Sequence, residues 1–356
     1  MQPTIKSALK IKSLVRENIL NLTPYSSARS EFKGHADIFM DANESPFETG
    51  LNRYPDPLAT KVRERLGALK NIDPDQIMLG NGSDELVDYV TRIFCRPGID
   101  NVIALPPTFG MYKVAAGIND IACRMVNLTP DFDIPVEEVM AVTDEYSRVL
   151  WLCSPNNPSG NLMTASKVEY LLHHFPGIVV LDEAYVEYIP EASFLSRLAE
   201  FPNLIITQTM SKAWGAAGIR LGAAYASPFI ISMMKAIKPP YNVNELTQQK
   251  ALEILANPDV IANNIAFLVR AREEMQAALT ALPFVEHIFP SVTNFLLIRF
   301  KDANAVYRYL LDHGLVVRNR STQPNCDNCL RITVGTAAEN ERLLKLLGKY
   351  DNAPTA

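Results

Sequence analysis

The sequence has no unbroken apolar run of about 18 residues, so no membrane-spanning helix is expected. The first 22 residues scatter lysines among apolar positions and lack the apolar core of a signal peptide. There is no block of lysine and arginine, and the formal net charge is -5, which argues against a nucleic-acid partner. The five cysteines (Cys95, Cys123, Cys153, Cys326, Cys329) are odd in number and mostly scattered, which is no disulfide framework and suits a reducing cytoplasm. Cys326-x-x-Cys329 has no second Cys/His pair at ligand spacing, and the five histidines form no metal pattern. Gly-x-Ser-x-Gly, Walker and His-Glu-x-x-His motifs are missing, as are internal repeats and low-complexity segments. Gly80-x-Gly82 lacks the third glycine of a dinucleotide fingerprint.

What remains is an ordinary globular composition, 48% hydrophobic and 21% charged, in 356 residues. That length suggests about two domains. From residue 75 to 226, short apolar runs at 76–81, 101–106, 149–153, 178–182, 204–208 and 222–226 alternate with amphipathic stretches such as 85–94 and 164–174. Runs of this kind suit strands buried on both faces of a mainly parallel sheet, flanked by helices in an α/β layer. Beyond Pro239-Pro240 the pattern predicts helix over 245–282 with a break at Pro258, strands at 295–300, 314–318 and 330–335, and helices at 302–312 and 337–348. This reads as a smaller α+β domain. The expected division is an arm over 1–45, packing on the small domain or a partner subunit, a large domain over 46–248 and a small domain over 249–356.

Ligands of such sheets gather at the carboxyl ends of strands. Here those ends carry Asn157, Asp182, Tyr185 and Lys212, polar groups whose burial costs free energy unless they are paired. A partly desolvated lysine becomes a nucleophile toward aldehydes. Pyridoxal phosphate is the aldehyde cofactor that needs such a lysine and an acid at its ring nitrogen. Asp182 fits the acid, and Tyr185 and Asn157 the partners of the phenolic oxygen. Ser211 and Arg220 would hold the phosphate, together with Gly82, Ser83 and Asp84 at the start of a helix. Each residue also has a plain reading. Lys212 alone is more often a surface lysine, Asp182-Glu183 can cap a helix, and Ser83 can be an N-cap. The coincidence of Lys212, Asp182 and Asn157 favours chemistry.

"TMSKAWGAAGIRLG" (209–222) resembles the lysine motif of fold-type I pyridoxal-phosphate aminotransferases, from Thr209 through Ser211 and Lys212 to Arg220. "SPNNPSG", "LDEAY" and "CLRITVG" resemble further elements of that family, in its order, with Arg331 as the substrate-anion arginine. "NLTPY", "DANESPF", "NRYPDP", "GNGSDE", "PPTFGMY" and "KPPYNVN" resemble its histidinol-phosphate branch, so the resemblance covers nearly the whole chain. It implies a homodimer in which Tyr54 reaches the cofactor phosphate of the neighbouring subunit. It also implies stacking of Phe109 on the cofactor ring and substrate contacts from Tyr25, Asn43, Arg318 and Arg331. Phe109 stands where many relatives have tyrosine, and Trp214 where phenylalanine is common. The implied reaction exchanges the amino group of histidinol phosphate with 2-oxoglutarate, in histidine biosynthesis, with Lys212 as base and acid. An aromatic amino-acid aminotransferase and a threonine-phosphate decarboxylase would use the same machinery, and a non-enzymatic cofactor-binding regulator is disfavoured because no DNA-binding segment precedes the fold.

Overall fold

The computed structural model describes residues 11–25, 31, 32, 34 and 36–350. Its centre is a seven-stranded sheet of β1 (Ile77–Asn81), β2 (Asn101–Ala104), β3 (Ala122–Met125), β4 (Ser147–Cys153), β5 (Ile178–Asp182), β6 (Leu204–Thr209) and β7 (Leu221–Tyr225). The order is β1-β7-β6-β5-β4-β2-β3, parallel from β3 through β6, with β7 antiparallel to both of its neighbours.

Alternation along the central strands feeds two apolar cores. Val179 and Leu181 enter one with Leu204 and Ile206, while Ile178, Val180 and Ile205 enter the other. This is why the strands read as unbroken apolar runs. The first core is closed by α2 (Thr60–Lys70), α5 (Val136–Ala141), α6 (Ala165–His174) and α8 (Glu245–Leu255), through Val62, Leu66, Val139, Leu171 and Leu255. The second is closed by α3 (Gly82–Phe94), α4 (Met111–Ile118) and α7 (Pro228–Ile237), through Leu86, Val90, Tyr112 and Ile231. Ile11, Leu14 and Val15, ahead of the short α1 (Glu17–Leu20), join this second core. That part of the N-terminal segment therefore packs on the seven-stranded unit rather than on the smaller sheet.

The smaller sheet is antiparallel, in the order β10-β11-β9-β8, from β8 (Val285–Ile288), β9 (Phe295–Phe300), β10 (Arg318–Asn319) and β11 (Cys329–Thr333). It packs with α9 (Pro258–Thr280), α10 (Ala303–Asp312) and α11 (Ala337–Leu347). A break between α8 and α9 falls just before Pro258, as that residue predicts. A capping box, Thr336 with Glu339, starts α11.

Two strands were not foreseen and one reading needs correction. β3 and β8 carry half-exposed or exposed residues and present no apolar run. The strand expected over 314–318 shrinks to Arg318–Asn319, since Val316 lies in the open at 75% exposure. Cys326 and Cys329 are free and buried in the first core, where they pack as small hydrophobes. Among the described residues no His/Cys/Asp/Glu group can hold a metal ion, and no single helix is long and apolar enough to cross a membrane.

Candidate active site

A cleft of about 160 Å³ opens at the carboxyl ends of the parallel strands. Ser83, Asp84, Phe109, Asn157, Asp182, Tyr185, Thr209, Ser211, Lys212 and Arg220 all line it. The sequence expectation thus converges on one place. Gly82, Tyr25, Tyr54, Asn43, Arg318 and Arg331 do not line it, although Arg331 touches it through Asn157. Tyr25 is 73% exposed, and Tyr54 stacks on Tyr241 with ring centroids 4.5 Å apart. Asn43 and Tyr54 share a separate surface hollow, and Arg318 lies in a groove of the smaller sheet.

One end of the cleft is a backbone cradle. Gly82 has φ +72, and a Cβ there would come within 2.6 Å of an Arg220 guanidinium nitrogen. A Cβ on Gly222 would meet the Ser83 amide nitrogen at 2.4 Å. Only glycine lets the start of α3 press against β7 this closely. Arg220 itself adopts the left-handed region, φ +53, its carbonyl accepting the Gly82 N–H at 2.8 Å and its guanidinium donating to Asp84 at 3.1 Å. Thr209 Oγ1 donates to Ser211 Oγ at 3.0 Å and accepts the Ser211 N–H at 3.2 Å, which fixes the turn that carries Lys212. Helix N-terminal amides, a hydroxyl and a guanidinium make a donor set suited to a phosphate dianion.

Asp182 is 2% exposed at the end of β5. Burial raises its pKa, against the hydrogen bonds from the Tyr112 hydroxyl and the Ala184 N–H. A protonated ring nitrogen would give that buried carboxylate its counter-charge. Burial also lowers the pKa of Lys212, reinforced by the charge of Arg331 and opposed by Asp182, although the side chain as a whole stays solvent-accessible. Its Nζ lies 5.7 Å from the centroid of the Tyr185 ring. The residues present fit pyridoxal phosphate, with an amine, an acid and a phosphate cradle in one cleft.

Arg331 reaches in from β11 and donates through Nη1 to Asn157 Oδ1. Its guanidinium lies 5.3 Å from the Phe295 ring centroid, and Phe295 packs edge-on against Tyr185 at 5.2 Å. Its Nε is buried without a partner. The same holds for Arg320 Nε, and Arg320 was missed by sequence reading. Burial first, then the charges of Arg331 and Arg318, brings Arg320 down to about 10. Clustered guanidinium groups with unsatisfied donors mark a place for an anion. Tyr112 was also missed, because an aromatic residue on the apolar face of a helix reads as core.

An α/β layer with lysine after β6, aspartate at the end of neighbouring β5 and a glycine-permitted cradle where α3 meets β7 is the arrangement of a fold-type I pyridoxal-phosphate transferase. The family model for aminotransferase class I and II matches residues 39–347. The histidinol-phosphate aminotransferase of Parabacteroides distasonis is 50% identical over 337 residues, 95% of this chain and 98% of that protein. The histidinol-phosphate aminotransferase of Sinorhizobium meliloti, solved in complex with pyridoxal-5'-phosphate, superposes with TM-score 0.76 at 22% identity, covering 83% of each chain. The L-threonine-O-3-phosphate decarboxylase of Porphyromonas gingivalis superposes with TM-score 0.70 at 26% identity, covering 84% of this chain and 90% of its own. The chain belongs to the class I and II aminotransferases, pyridoxal-phosphate-dependent enzymes.

Proposed function

We propose that the chain transfers the amino group of histidinol phosphate to 2-oxoglutarate, giving imidazole acetol phosphate and glutamate in histidine biosynthesis. The observation that carries this reading is Arg331, a half-buried arginine with a buried, unpartnered Nε, which donates to Asn157 on the wall of the Lys212 cleft. A planar fork of this kind accepts either a phosphate or a carboxylate, as two successive half-reactions at one site require. The 50% identity to the Parabacteroides distasonis enzyme supports the choice of donor.

Pyridoxal phosphate, when bound, supplies the aldehyde that exchanges amino groups and a ring that accepts electrons. Lys212 Nζ, with its lowered pKa, takes the proton from the substrate Cα and returns it on the product side. Asp182 holds a proton on the ring nitrogen. Tyr185 and the Asn157 amide orient the phenolic oxygen, and Phe109 covers one ring face. Ser83, Ser211, Arg220 and the start of α3 hold the phosphate. Arg318 joins Arg331, its cross-strand partner, in gripping the substrate anion.

We further read the enzyme as a cytoplasmic homodimer, divided at about residues 45 and 248 as the sequence suggests. Tyr25, Ile38, Met40, Phe47, Leu51 and Tyr54 are large apolar side chains exposed within one short stretch, which suits a subunit interface. In that assembly Tyr54 serves the partner's phosphate, while Tyr25 and Asn43 close on substrate. Free thiols accord with a reducing compartment.

A substrate panel tests the reading. Histidinol phosphate should exceed histidinol by roughly a hundredfold in kcat/KM, since hydrogen bonds to a charged group contribute about 1.5–3 kcal/mol each. Equal or better turnover of phenylalanine would replace it with an aromatic aminotransferase. Carbon dioxide released from threonine phosphate would favour the decarboxylase.

A further inference from the structure

Tyr112 stands on the first turn of α4, three residues beyond Phe109, and is 1% exposed. Its hydroxyl donates to Asp182 Oδ2 at 2.6 Å, while Asp182 Oδ1 accepts the Ala184 N–H at 3.2 Å. Among the described residues no cationic side chain hydrogen-bonds this carboxylate; the phenol is its foremost side-chain donor, ahead of the Thr207 hydroxyl. The Tyr112 ring is locked in place. It stacks on Trp151 with centroids 4.8 Å apart and an interplanar angle of 8°, and meets Phe109 edge-on at 5.6 Å. Locked aromatic packing holds the hydroxyl against Asp182, with the Cys153 thiol beside it, which is how a supporting residue gains control of the group it touches.

We propose that Tyr112 is a positioning residue, whose hydroxyl keeps Asp182 ionised and aimed at the cofactor ring nitrogen. The physical reason is a competition for one proton. A fully buried carboxyl tends to neutralise itself, and a neutral Asp182 cannot hold the ring nitrogen protonated. A donor aimed at the carboxylate lowers its proton affinity, so the shared proton resides on the ring. The inference rests on the reading of Asp182 given above. It also assigns a division of labour to "PPTFGMY", with Phe109 toward the ring face and Tyr112 toward the acid.

Tyr112→Phe keeps the stack on Trp151 and removes only the donor. The probes are pyridoxal phosphate and its 1-deaza analogue, which has carbon in place of the ring nitrogen and cannot be protonated there. Dissociation constants come from equilibrium dialysis of the full-length protein, with apo thermal unfolding as the check on folding. The native chain should prefer pyridoxal phosphate over the analogue. Tyr112→Phe should weaken pyridoxal phosphate about tenfold or more, as expected for a hydrogen bond to a charged group, and leave the analogue unchanged. Equal weakening of both, or of neither, overturns the proposal. Asp182→Asn separates the two readings. If Asp182→Asn still prefers pyridoxal phosphate, the role of Asp182 fails and that of Tyr112 with it. If Asp182→Asn loses the preference while Tyr112→Phe keeps it, the role of Tyr112 alone fails. Should Tyr112→Phe not fold, replacing Tyr112 by the isosteric 3-fluorotyrosine, a more acidic donor, should widen the preference, and an unchanged or narrower one overturns the assignment.

Discussion

Trp214 donates its indole N–H to Glu187 Oε1 across 3.1 Å, and Lys70 Nζ reaches the same oxygen at 3.2 Å. Trp214 lies two residues beyond Lys212 and Glu187 two beyond Tyr185, so one bond ties together the two segments that face each other across the cleft. Glu187→Ala strands an indole N–H and an ammonium, and should cost about 1–3 kcal/mol in urea unfolding, with turnover falling as Lys212 loosens. Trp214→Phe keeps the ring and the Lys70 contact and should cost only about 0.5–1.5 kcal/mol. An unchanged midpoint for Glu187→Ala would show that the tie contributes no stability.

Lys212 gives a signature in the apo protein. Its folded pKa is below the ordinary 10.5, so between the two values the unfolded chain binds more protons and stability rises with pH. The cost of holding the charged lysine is present below its folded pKa and disappears as pH approaches 10.5. Lys212→Met should therefore be more stable than the native apo chain at neutral pH, with the gap closing in alkali. A gap independent of pH would point to packing. The same variant should lose turnover by orders of magnitude, and borohydride reduction of the native holoenzyme should attach the cofactor at Lys212 alone.

Glu183 behaves in the opposite sense. It is 1% exposed, and burial pushes it up to about 7 despite hydrogen bonds from Ser193, the Phe194 N–H and Gln208. Between 4.5 and about 7 the folded state holds the extra proton, so this group makes stability fall as pH rises through that window. Glu183→Gln should flatten that part of the profile in urea unfolding. An unaltered slope would place the titration elsewhere.

The arginine cluster predicts anion-linked stability. Inorganic phosphate and 2-oxoglutarate should each raise the thermal midpoint of the apo protein, as any ligand of the native state does. Arg331→Lys keeps the charge but loses the fork, and should shrink both shifts together. A loss confined to one anion would mean that the substrates are gripped by different residues.

Much of this arrangement is legible in the chain, for a definite reason. β1, β2 and β4 to β7 are buried on both faces, so each leaves an apolar run, and the residues at or just after the ends of β4, β5 and β6 line the cleft. Lys212, Asp182 and Asn157 could be found by reading those ends. β3 and β8 could not, because edge strands carry polar or half-exposed residues. Tyr112 was hidden by distance, its partner lying 70 residues along the chain. Arg320 was hidden because its meaning comes from the unsatisfied Nε rather than from a motif. Tyr25, Asn43 and Tyr54 stand outside the cleft of a single chain, where the resemblance had given them a role that needs the arm closed or a second subunit present.

The close approach of Gly222 to Ser83 also bears on the order of events in folding. β1 pairs with β7, bringing residue 77 against residue 225, and the cradle exists only once that pairing has closed. Contacts between segments so far apart in sequence are slow to form, because a long loop must be closed first. The cradle therefore requires both strands, and a ribosome must release both before it can be assembled. Capture of pyridoxal phosphate reports that the sheet edge has been completed, which makes the cofactor a marker of finished folding as well as a reagent.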